Sequence, residues 1–378
     1  MAPGALLPEP ETEYVTFHAA KGKLSRPVLK GDAKTSTFES IPKVDFTNMW
    51  SESLADRKAV AVQVGKAFRE VGFMYAVNHG IPADVQERTA KVAKEFFALP
   101  MEEKMKIHIN KSPAIKGYEA LLETRLDDST RGGKFRPNNN KEAVNMSDDP
   151  YDPEHGCPPG FDLSYYPRVC NDGLLNQWPE RPMDFRKVMN EYRTAVSDFS
   201  KRLLRMIALS LDLEETYFDY MTRFPMAGLR PLHYPPQEAA TDVGIGAHND
   251  YSWFTCVWQM TDTPALEVLN HNGHWVSAAP VPNSMVVNVG DFLERATNEI
   301  FVSTVHRVIN KTGDERYSLA YFFTPSHDVT IETVPTCWSA DRPKRYEDVN
   351  AGEWQRERLY RARYKHPASV AARAAGEI

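Results

Sequence analysis

The segment that most constrains this chain is residues 244–251, Gly-Ile-Gly-Ala-His-Asn-Asp-Tyr, which places an imidazole and a carboxylate two residues apart. Its composition predicts extended backbone, in which residues i and i+2 project to the same side, so His248 and Asp250 can reach one metal ion. A second imidazole, His306, lies in the β-branched run 301–309. Two imidazoles and one carboxylate on one face of an ion leave its opposite positions open to other ligands. The sequence therefore predicts a metal site formed by three residues.

A second polar pair follows the distal histidine. Arg316 and Ser318 open the next apolar run, and their spacing places a guanidinium and a hydroxyl on one face of a predicted strand. A guanidinium can donate two parallel hydrogen bonds to a carboxylate, so this pair suits a carboxylate ligand. Alone, Arg316 would be interpreted as an ordinary surface salt-bridge residue. Its place after the predicted metal ligands favours carboxylate binding instead.

The order His248-x-Asp250, His306 and Arg316-x-Ser318, with Tyr234 ahead of them, resembles that of the Fe(II)/2-oxoglutarate-dependent dioxygenases of the isopenicillin N synthase-like group. The resemblance covers most of the chain. In the amino-terminal part, the resemblance extends to residues 41–46, 72–81 and 96–100. In the core, it extends to residues 288–294 and 303–307. Several independent motifs in the family's order are a stronger signal than three metal-binding residues alone.

The resemblance implies a specific set of ligands. His248, Asp250 and His306 would hold Fe(II), and 2-oxoglutarate and O2 would take the remaining positions. Arg316, Ser318 and Tyr234 would bind the far carboxylate of 2-oxoglutarate. The implied activity is oxidation of a small molecule, such as a specialised metabolite, by hydrogen abstraction. Hydroxylation is the default, with release of succinate and CO2, while desaturation, cyclisation and ring expansion stay open.

Two alternatives to this activity remain open from the sequence. The first is an oxidase like isopenicillin N synthase, in which Arg316 and Ser318 would hold the carboxylate of the substrate and no 2-oxoglutarate would be used, or an ethylene-forming relative. The second is a catalytically silent binding protein that kept the fold. The intact set of metal ligands argues against the silent protein, and family membership favours the 2-oxoglutarate-dependent enzyme.

The pattern of short β-rich segments predicts a sandwich or a jelly roll, and the helices gathered mainly ahead of it make the class α+β. The family resemblance implies a double-stranded β-helix, or jelly-roll, catalytic core flanked by helices. Predicted strands lie between residues 253 and 323, separated by Asn, Gly, Pro and Asp. Five regions are expected: an amino-terminal arm (1–40), an amino-terminal region with pocket loops (41–180), a long packing helix (181–228), the jelly-roll core (229–325) and a carboxyl-terminal extension (326–378).

Several segments permit two interpretations. The polar, turn-rich residues 108–180 form either part of the pocket wall or a surface excursion. The basic residues 354–365 form either a lid or, as the pattern favours, a solvated amphipathic helix. Tyr251 and its aromatic neighbours 253–254 line the cavity or fill the core. His79, in a turn, is predicted to form structural hydrogen bonds. Asp291 either holds a strand turn, as the pattern favours, or supports a metal ligand from outside.

Charge and cysteine content limit the partners and the compartment. The chain of 378 residues has 45 Lys and Arg against 51 Asp and Glu, a formal charge of −6, which predicts no nucleic-acid partner. Its four Cys lack the density of a disulfide scaffold, so a reduced cytoplasmic location is expected. No apolar run is long enough to span a membrane, and the first ten residues lack the features of a secretion signal. A monomer or weak homodimer is expected.

Overall fold

The computed structural model describes residues 13–19, 22–28, 37–123, 140–164, 175–236 and 243–378. Its strands are β1 (Glu13–Ala19), β2 (Gly22–Val28), β3 (Lys43–Asp45), β4 (Phe73–Val77), β5 (Gly117–Glu119), β6 (Glu142–Asn145), β7 (Gly228–Tyr234), β8 (Val243–His248), β9 (Phe254–Gln259), β10 (Leu266–Leu269), β11 (Trp275–Ser277), β12 (Ser284–Val289), β13 (His306–Ile309), β14 (Arg316–Phe323), β15 (Thr330–Ile331) and β16 (Val349–Asn350). Its α-helices are α1 (Leu54–Glu70), α2 (Ala83–Phe97), α3 (Met101–Met105), α4 (Phe185–Ser210), α5 (Asp291–Ala296), α6 (Ala351–Ala362) and α7 (Pro367–Ala374).

Two sheets form the core of the protein. The larger has eight strands in the order β3-β4-β12-β9-β14-β7-β6-β5, and the smaller has four in the order β11-β10-β13-β8. Neighbouring strands are antiparallel except for β3 and β4, which are parallel. Strands distant in sequence are therefore neighbours in both sheets, as expected of a jelly roll. The predicted α+β class with a jelly-roll core is confirmed.

Alternating side chains divide the larger sheet between two hydrophobic cores. On β4, Phe73 and Tyr75 join the core that lies between the sheets, to which the smaller sheet contributes Val308. Met74 and Ala76 project the other way, into the core shared with the helices. Because successive residues of a strand point to opposite faces, a strand covered on both sides is apolar at nearly every position. The sheet is thus held between the smaller sheet and the helices.

The helices follow the predicted apolar spacing. Ser53 caps α1 by accepting a hydrogen bond from the backbone nitrogen of Asp56, which satisfies one of the free N–H groups of the first turn. The long helix α4 buries the stripe that the sequence predicts, namely Phe185, Val188, Tyr192, Val196, Phe199, Leu203 and Met206.

Among the described residues, no helix has both the length and the apolar composition needed to cross a membrane.

Regular structure begins earlier in the chain than the sequence predicts. The sequence predicts a wrapping or partly disordered arm (1–40), with the fold starting near Ile41, but β1 and β2 pair as an antiparallel hairpin within the arm. Val15 and Phe17 of β1 are buried against Ala247 and other apolar residues near the smaller sheet. The alternation of buried and exposed residues is too short in this strand to have distinguished it from an irregular segment.

The predicted strand 301–309 is only partly a strand, since β13 begins at His306. The preceding residues bond instead to the carboxyl-terminal end of α1 and the turn after it: the nitrogen of Val302 donates to Phe68 O at 3.1 Å, and Thr304 Oγ1 donates to Val71 O at 2.7 Å. These tertiary bonds, one from the backbone and one from a side chain, hold the segment before His306 against α1.

Candidate metal centre and active-site cavity

Strands β8 and β13 bring the predicted metal ligands together. His248 and His306 are register partners in this antiparallel pair, and their ring centroids lie 4.3 Å apart. Asp250 follows the end of β8, and one ligand atom from each of the three side chains lies within 4.8 Å of the other two. Separate parts of the sequence therefore present two imidazoles and one carboxylate to a single point.

Hydrogen bonds orient each of these side chains. The Nδ1 atoms of His248 and His306 bond to the carbonyls of Gly246 at 2.8 Å and Thr304 at 3.2 Å, respectively. Because a carbonyl only accepts, Nδ1 carries the proton in each ring and the Nε2 lone pair is available to a metal. The two Nε2 atoms lie 3.6 and 3.8 Å from Oδ1 of Asp250. All three donor atoms thus converge.

Two residues that the sequence did not single out hold the carboxylate of Asp250. Its Oδ2 accepts from Thr255 Oγ1 at 2.6 Å and from Asn288 Nδ2 at 2.9 Å, which leaves Oδ1 directed at the imidazoles. Both come from neighbouring strands of the larger sheet, β9 and β12. Such outer hydrogen bonds fix the direction of a metal ligand and tune its basicity. No local signal marks them, because they reach Asp250 only through sheet pairing.

The protonation states also suit a divalent cation. Burial lowers the pKa of His248 to about 4, and the neighbouring His306 lowers it further while Asp250 opposes the shift. Burial opposes ionisation of Asp250, but the two imidazoles and the hydrogen bonds from Thr255 and Asn288 outweigh it and lower its pKa. A neutral imidazole and an ionised carboxylate are the metal-binding forms. The site therefore offers two nitrogen ligands and one oxygen ligand, a set that fits Fe(II).

Arg316 lies on the same face of the larger sheet as Tyr234, its register partner on β7. It is only 1% exposed, yet it forms no ion pair with a described carboxylate. Its Nη1 lies 3.4 Å from Ser318 Oγ, its Nη2 lies 3.2 Å from Gln259 Oε1, and its guanidinium lies 4.8 Å from the centre of the Tyr234 ring. Its Nε has no hydrogen-bond partner among the described residues. A buried charge without a counter-ion is costly, so this group fits an anionic ligand.

Gln259 and Gly244 complete this second group. Gln259, on β9, is the register partner of Ser318, and no pattern in the sequence singles it out. Gly244 lies against the Tyr234 ring, so that a Cβ at this position would stand 2.8 Å from Cδ1 of the tyrosine. Only glycine leaves room there, which explains one of the two glycines before His248. The predicted residues Arg316, Ser318 and Tyr234 thus form one buried group.

Asp291 links the metal site to the carboxyl-terminal extension. Its backbone nitrogen donates to Asp250 O at 2.7 Å, and its fully buried carboxylate accepts from Ser303 Oγ and from Arg358 Nη2, both at 2.9 Å. Burial raises the pKa of Asp291 to about 6, and Arg358 and Ser303 partly oppose the shift. Through this contact, α6 is fixed beside the metal ligands. Asp291 therefore does more than support a local turn.

His79 has the structural role that its turn context predicts. Its Nδ1 accepts a hydrogen bond from the backbone nitrogen of Ile81 at 3.1 Å, and its ring packs edge-on against Phe199 of α4. Burial lowers its pKa, so the ring is held neutral. It is not one of the residues that converge on the metal site.

A cavity of about 440 Å³ opens on the exposed side of the metal ligands and is lined by His248, Asp250 and Tyr251. Residues 113–116 and 145–148 form part of its wall, so the described part of the 108–180 region contributes to the pocket, as one of its two interpretations holds. Trp253 instead is 1% exposed and packs edge-on against Phe218, in the core.

The carboxyl-terminal helix also differs from the favoured interpretation. Helix α6 was expected to be solvated, but its residues Gln355 and Leu359, and Arg363 directly after it, line the cavity. The helix is amphipathic, because Arg358 contacts the buried Asp291 while Arg356 and Arg361 are exposed. The helix thus closes one side of the site.

Similarity to known proteins identifies the family. Residues 41–180 match the family described as non-haem dioxygenase in morphine synthesis N-terminal, and residues 221–325 match the 2OG-Fe(II) oxygenase superfamily. A 2-oxoglutarate-Fe(II) type oxidoreductase of Metarhizium majus, ppzC, is 32% identical over 365 residues, which cover 93% of this chain and 95% of that relative. The chain belongs to the 2OG-Fe(II) oxygenase superfamily.

Other members of the superfamily show similarity over a comparable length. A homoarginine-6-hydroxylase of Arabidopsis thaliana is 34% identical over 313 residues, covering 79% of this oxygenase and 89% of the relative. The structure of a Neurospora crassa protein in complex with alpha-KG and thymine has a TM-score of 0.72 at 27% identity, covering 86% of this oxygenase and 99% of that chain. The protein is thus an Fe(II)- and 2-oxoglutarate-dependent oxygenase with a small-molecule substrate. The alternatives of an oxidase and a silent binding protein are not favoured.

Proposed function

We propose that His248, Asp250 and His306 are the Fe(II) ligands of this oxygenase, and that Arg316, Ser318 and Tyr234 bind the far carboxylate of 2-oxoglutarate. One observation carries the proposal: three correctly oriented donor atoms converge while a buried guanidinium lacks a described carboxylate partner. Gln259 joins the carboxylate site, because its oxygen holds the guanidinium Nη2 in place.

In the reaction, Fe(II) and 2-oxoglutarate together supply the oxidising chemistry, with O2 consumed and succinate and CO2 released. The protein contributes placement. Thr255 and Asn288 hold Asp250 so that one oxygen faces the metal, and the Nδ1 bonds of the two histidines fix their ring tautomers. The residues that line the cavity would position a substrate beside the metal site.

For the outcome of the reaction, we propose hydroxylation of a small organic molecule. This assignment is supported by the hydroxylase among the relatives, which acts on homoarginine by its name, and by the thymine bound in the Neurospora crassa structure.

We further propose a division into an amino-terminal arm (1–40), a pocket-loop region (41–180), a packing helix (181–228), a jelly-roll core (229–325) and an extension (326–378). The composition supports a cytoplasmic monomer or weak homodimer that binds neither nucleic acid nor membranes.

Anaerobic reconstitution tests the proposal. Purified protein is mixed with Fe(II) and then with 2-oxoglutarate, and the visible metal-to-ligand charge-transfer band is recorded before O2 is admitted and succinate assayed. We expect the band and at least slow succinate release in the absence of any other substrate. Iron binding without the band or succinate would contradict the proposed cosubstrate and would reassign Arg316 to a different anion.

A further inference from the structure

The wall of the cavity contains a pair of largely buried arginines that are separate from Arg316. Arg230 lies on β7, and Arg363 lies directly after α6; both line the same cavity as His248 and Asp250. Their side chains are 12% and 7% exposed, so both guanidiniums are largely removed from water. Neither contributes to the predicted metal or cosubstrate group.

Both arginines share a single carboxylate. Arg230 Nη2 lies 2.8 Å from Oε1 of Glu119, and Arg363 Nη2 lies 3.1 Å from Oε2. Lys141 also contacts Oε1 of Glu119, which is completely buried. The Nε of Arg230 has no hydrogen-bond partner among the described residues. Three cations therefore surround one acid, and one guanidinium retains an unused donor at the cavity.

Among the described residues that line the cavity, the other charges do not balance this excess. The ammonium of Lys116 contacts the hydroxyl of Ser147 and forms no ion pair with a described carboxylate, and Arg356 lies exposed in the cavity lining. Asp148 is the acidic residue of the described lining apart from Asp250, and both Asp148 and Asp149 act on Lys116 electrostatically. Burial lowers the pKa of Lys116 and opposes its charge, an effect that a bound anion would offset. This part of the cavity is therefore cationic.

The rest of the lining is mainly apolar. It includes side chains from the pocket loops, β7, β14 and α6, namely Ile115, Leu175, Met226, Leu229, Phe322 and Leu359. An apolar wall with a few convergent charged groups is the usual form of a small-molecule site. The charged groups and the apolar wall contact different portions of the ligand. The cationic end selects an anion, and the apolar wall selects a hydrocarbon or aromatic body.

Strand geometry separates this cationic end from the cosubstrate group. Arg230 and Tyr234 are four residues apart on β7, so they project to the same face of the sheet. At about 3.3 Å per residue, their backbones are roughly 13 Å apart. The same sheet face thus presents one carboxylate-binding group near Arg316 and another near Arg230.

We propose that this oxygenase acts on small carboxylic acids with an apolar body, whose carboxylate binds to Arg230 and Arg363 with Lys116 nearby. The carboxylate would occupy the cationic end of the cavity, and the apolar body would extend toward the metal ligands. The inference rests on the proposed function, because it assigns the substrate of that same site.

A panel of matched ligands tests this specificity. Each apolar body, for example phenylbutyl, indolylethyl and octyl, is offered as the carboxylic acid, the primary amide and the primary amine, together with homoarginine. Binding is measured by perturbation of the charge-transfer band of the anaerobic Fe(II) and 2-oxoglutarate complex, and by calorimetry. We expect at least one acid to bind about tenfold or more tightly than its amide, and amines to bind more weakly still. Equal binding of acids and amides, or preference for amines or homoarginine, would overturn the proposal.

Variants connect the preference to the arginine pair. In Arg230→Met and Arg363→Met, Glu119 keeps two of its three cations, so the buried acid stays compensated. We expect each variant to lower the affinity for the preferred acid by about tenfold and to leave its amide within about threefold. Arg361→Met is the matched control, because Arg361 lies on α6 but is exposed and pairs with Glu357. An unchanged ratio of acid to amide affinity would show that the cations only neutralise Glu119.

Glu119→Gln gives an independent readout. It releases both guanidiniums from their shared partner, so the preferred acid should bind more tightly and should raise the melting temperature of this variant more than that of the wild type. A smaller shift than in the wild type would contradict the proposal. Failure of the metal and cosubstrate assignment is distinguishable, because it would remove the charge-transfer band while calorimetry still compares acid with amide.

Discussion

Arg316 and Arg230 lie on adjacent strands of the larger sheet and face the same side, but their surroundings differ. Arg316 has hydroxyl, amide and aromatic neighbours and no described carboxylate partner. Arg230 shares Glu119 with two other cations. In the proposed assignment, the first arrangement binds an anion that must be supplied for each reaction cycle, whereas the second forms part of a charged wall. The two proposed ends of the site would therefore recognise ligands by different means.

The two groups also differ in how the chain assembles them. Arg316 and Ser318 are neighbours on one strand, and Tyr234 is paired with Arg316 in the adjacent strand. The cationic end instead requires β5, the residue before β6, β7 and the residue after α6, which come from separate parts of the sequence. In the proposed assignment, a compact strand motif binds the cosubstrate, while the substrate end depends on loops and on the residue that follows the carboxyl-terminal helix.

Loss of a metal ligand should have the largest effect. In His306→Ala, one nitrogen donor is absent from a site with three protein ligands, so Fe(II) affinity should fall by more than the roughly 100-fold that outer hydrogen-bond changes reach. Anaerobic metal titration measures this affinity, and succinate release should become undetectable. His271→Ala is the control, because His271 is exposed and belongs to neither group. Iron binding or turnover at the wild-type level in His306→Ala would invalidate the ligand assignment.

Removal of Arg316 should separate ligand binding from stability. In Arg316→Met, the melting temperature without ligands should stay equal or rise, because a buried cation without a described counter-ion is lost. The increase in melting temperature that 2-oxoglutarate produces in the metal-loaded protein should nearly disappear, with a loss of affinity of roughly 30- to 100-fold. A large drop in stability without ligands would instead indicate that Arg316 is a structural residue.

Weakening the support of Asp250 should have an intermediate effect. Asn288→Ala removes the amide that donates to Oδ2 of Asp250 but keeps the Thr255 bond, so Fe(II) affinity should fall by about tenfold. The affinity for 2-oxoglutarate at saturating iron should change little. If cosubstrate affinity fell while iron affinity did not, the separation between the metal site and the Arg316 group would be wrong.

The contact between α6 and the metal site should give the smallest effect on cofactor binding. Arg358→Gln breaks the ion pair with Asp291, so amide exchange in residues 351–362 should accelerate while Fe(II) affinity changes by less than about threefold. Hydrogen exchange with mass spectrometry measures the change, and Arg361→Gln serves as the control on the same helix. Unchanged protection would mean that apolar contacts alone hold α6 in place.

Local spacing accounts for what the sequence could predict. Residues i and i+2 on a strand share a face, so the sequence could predict that His248 lies beside Asp250 and that Arg316 lies beside Ser318. The apolar stripe of α4 likewise predicted the buried face of that helix. Thr255, Asn288 and Gln259 were missed because sheet pairing, not sequence proximity, brings them to their partners. The contacts of α6 with the cavity and with Asp291 could not be predicted, because a basic helix facing water and one whose arginines meet buried acids have the same periodicity.

Titration of 2-oxoglutarate into the Fe(II)-loaded, anaerobic protein tests the central claim most directly, with the wild type, Arg316→Met and Arg230→Met compared by the charge-transfer band. The proposed arrangement predicts a band in all three proteins at saturation, with the midpoint shifted to higher 2-oxoglutarate concentration by at least about tenfold in Arg316→Met alone. A shift in Arg230→Met of equal size, or no shift in Arg316→Met, would contradict the assignment of the two ends of the site.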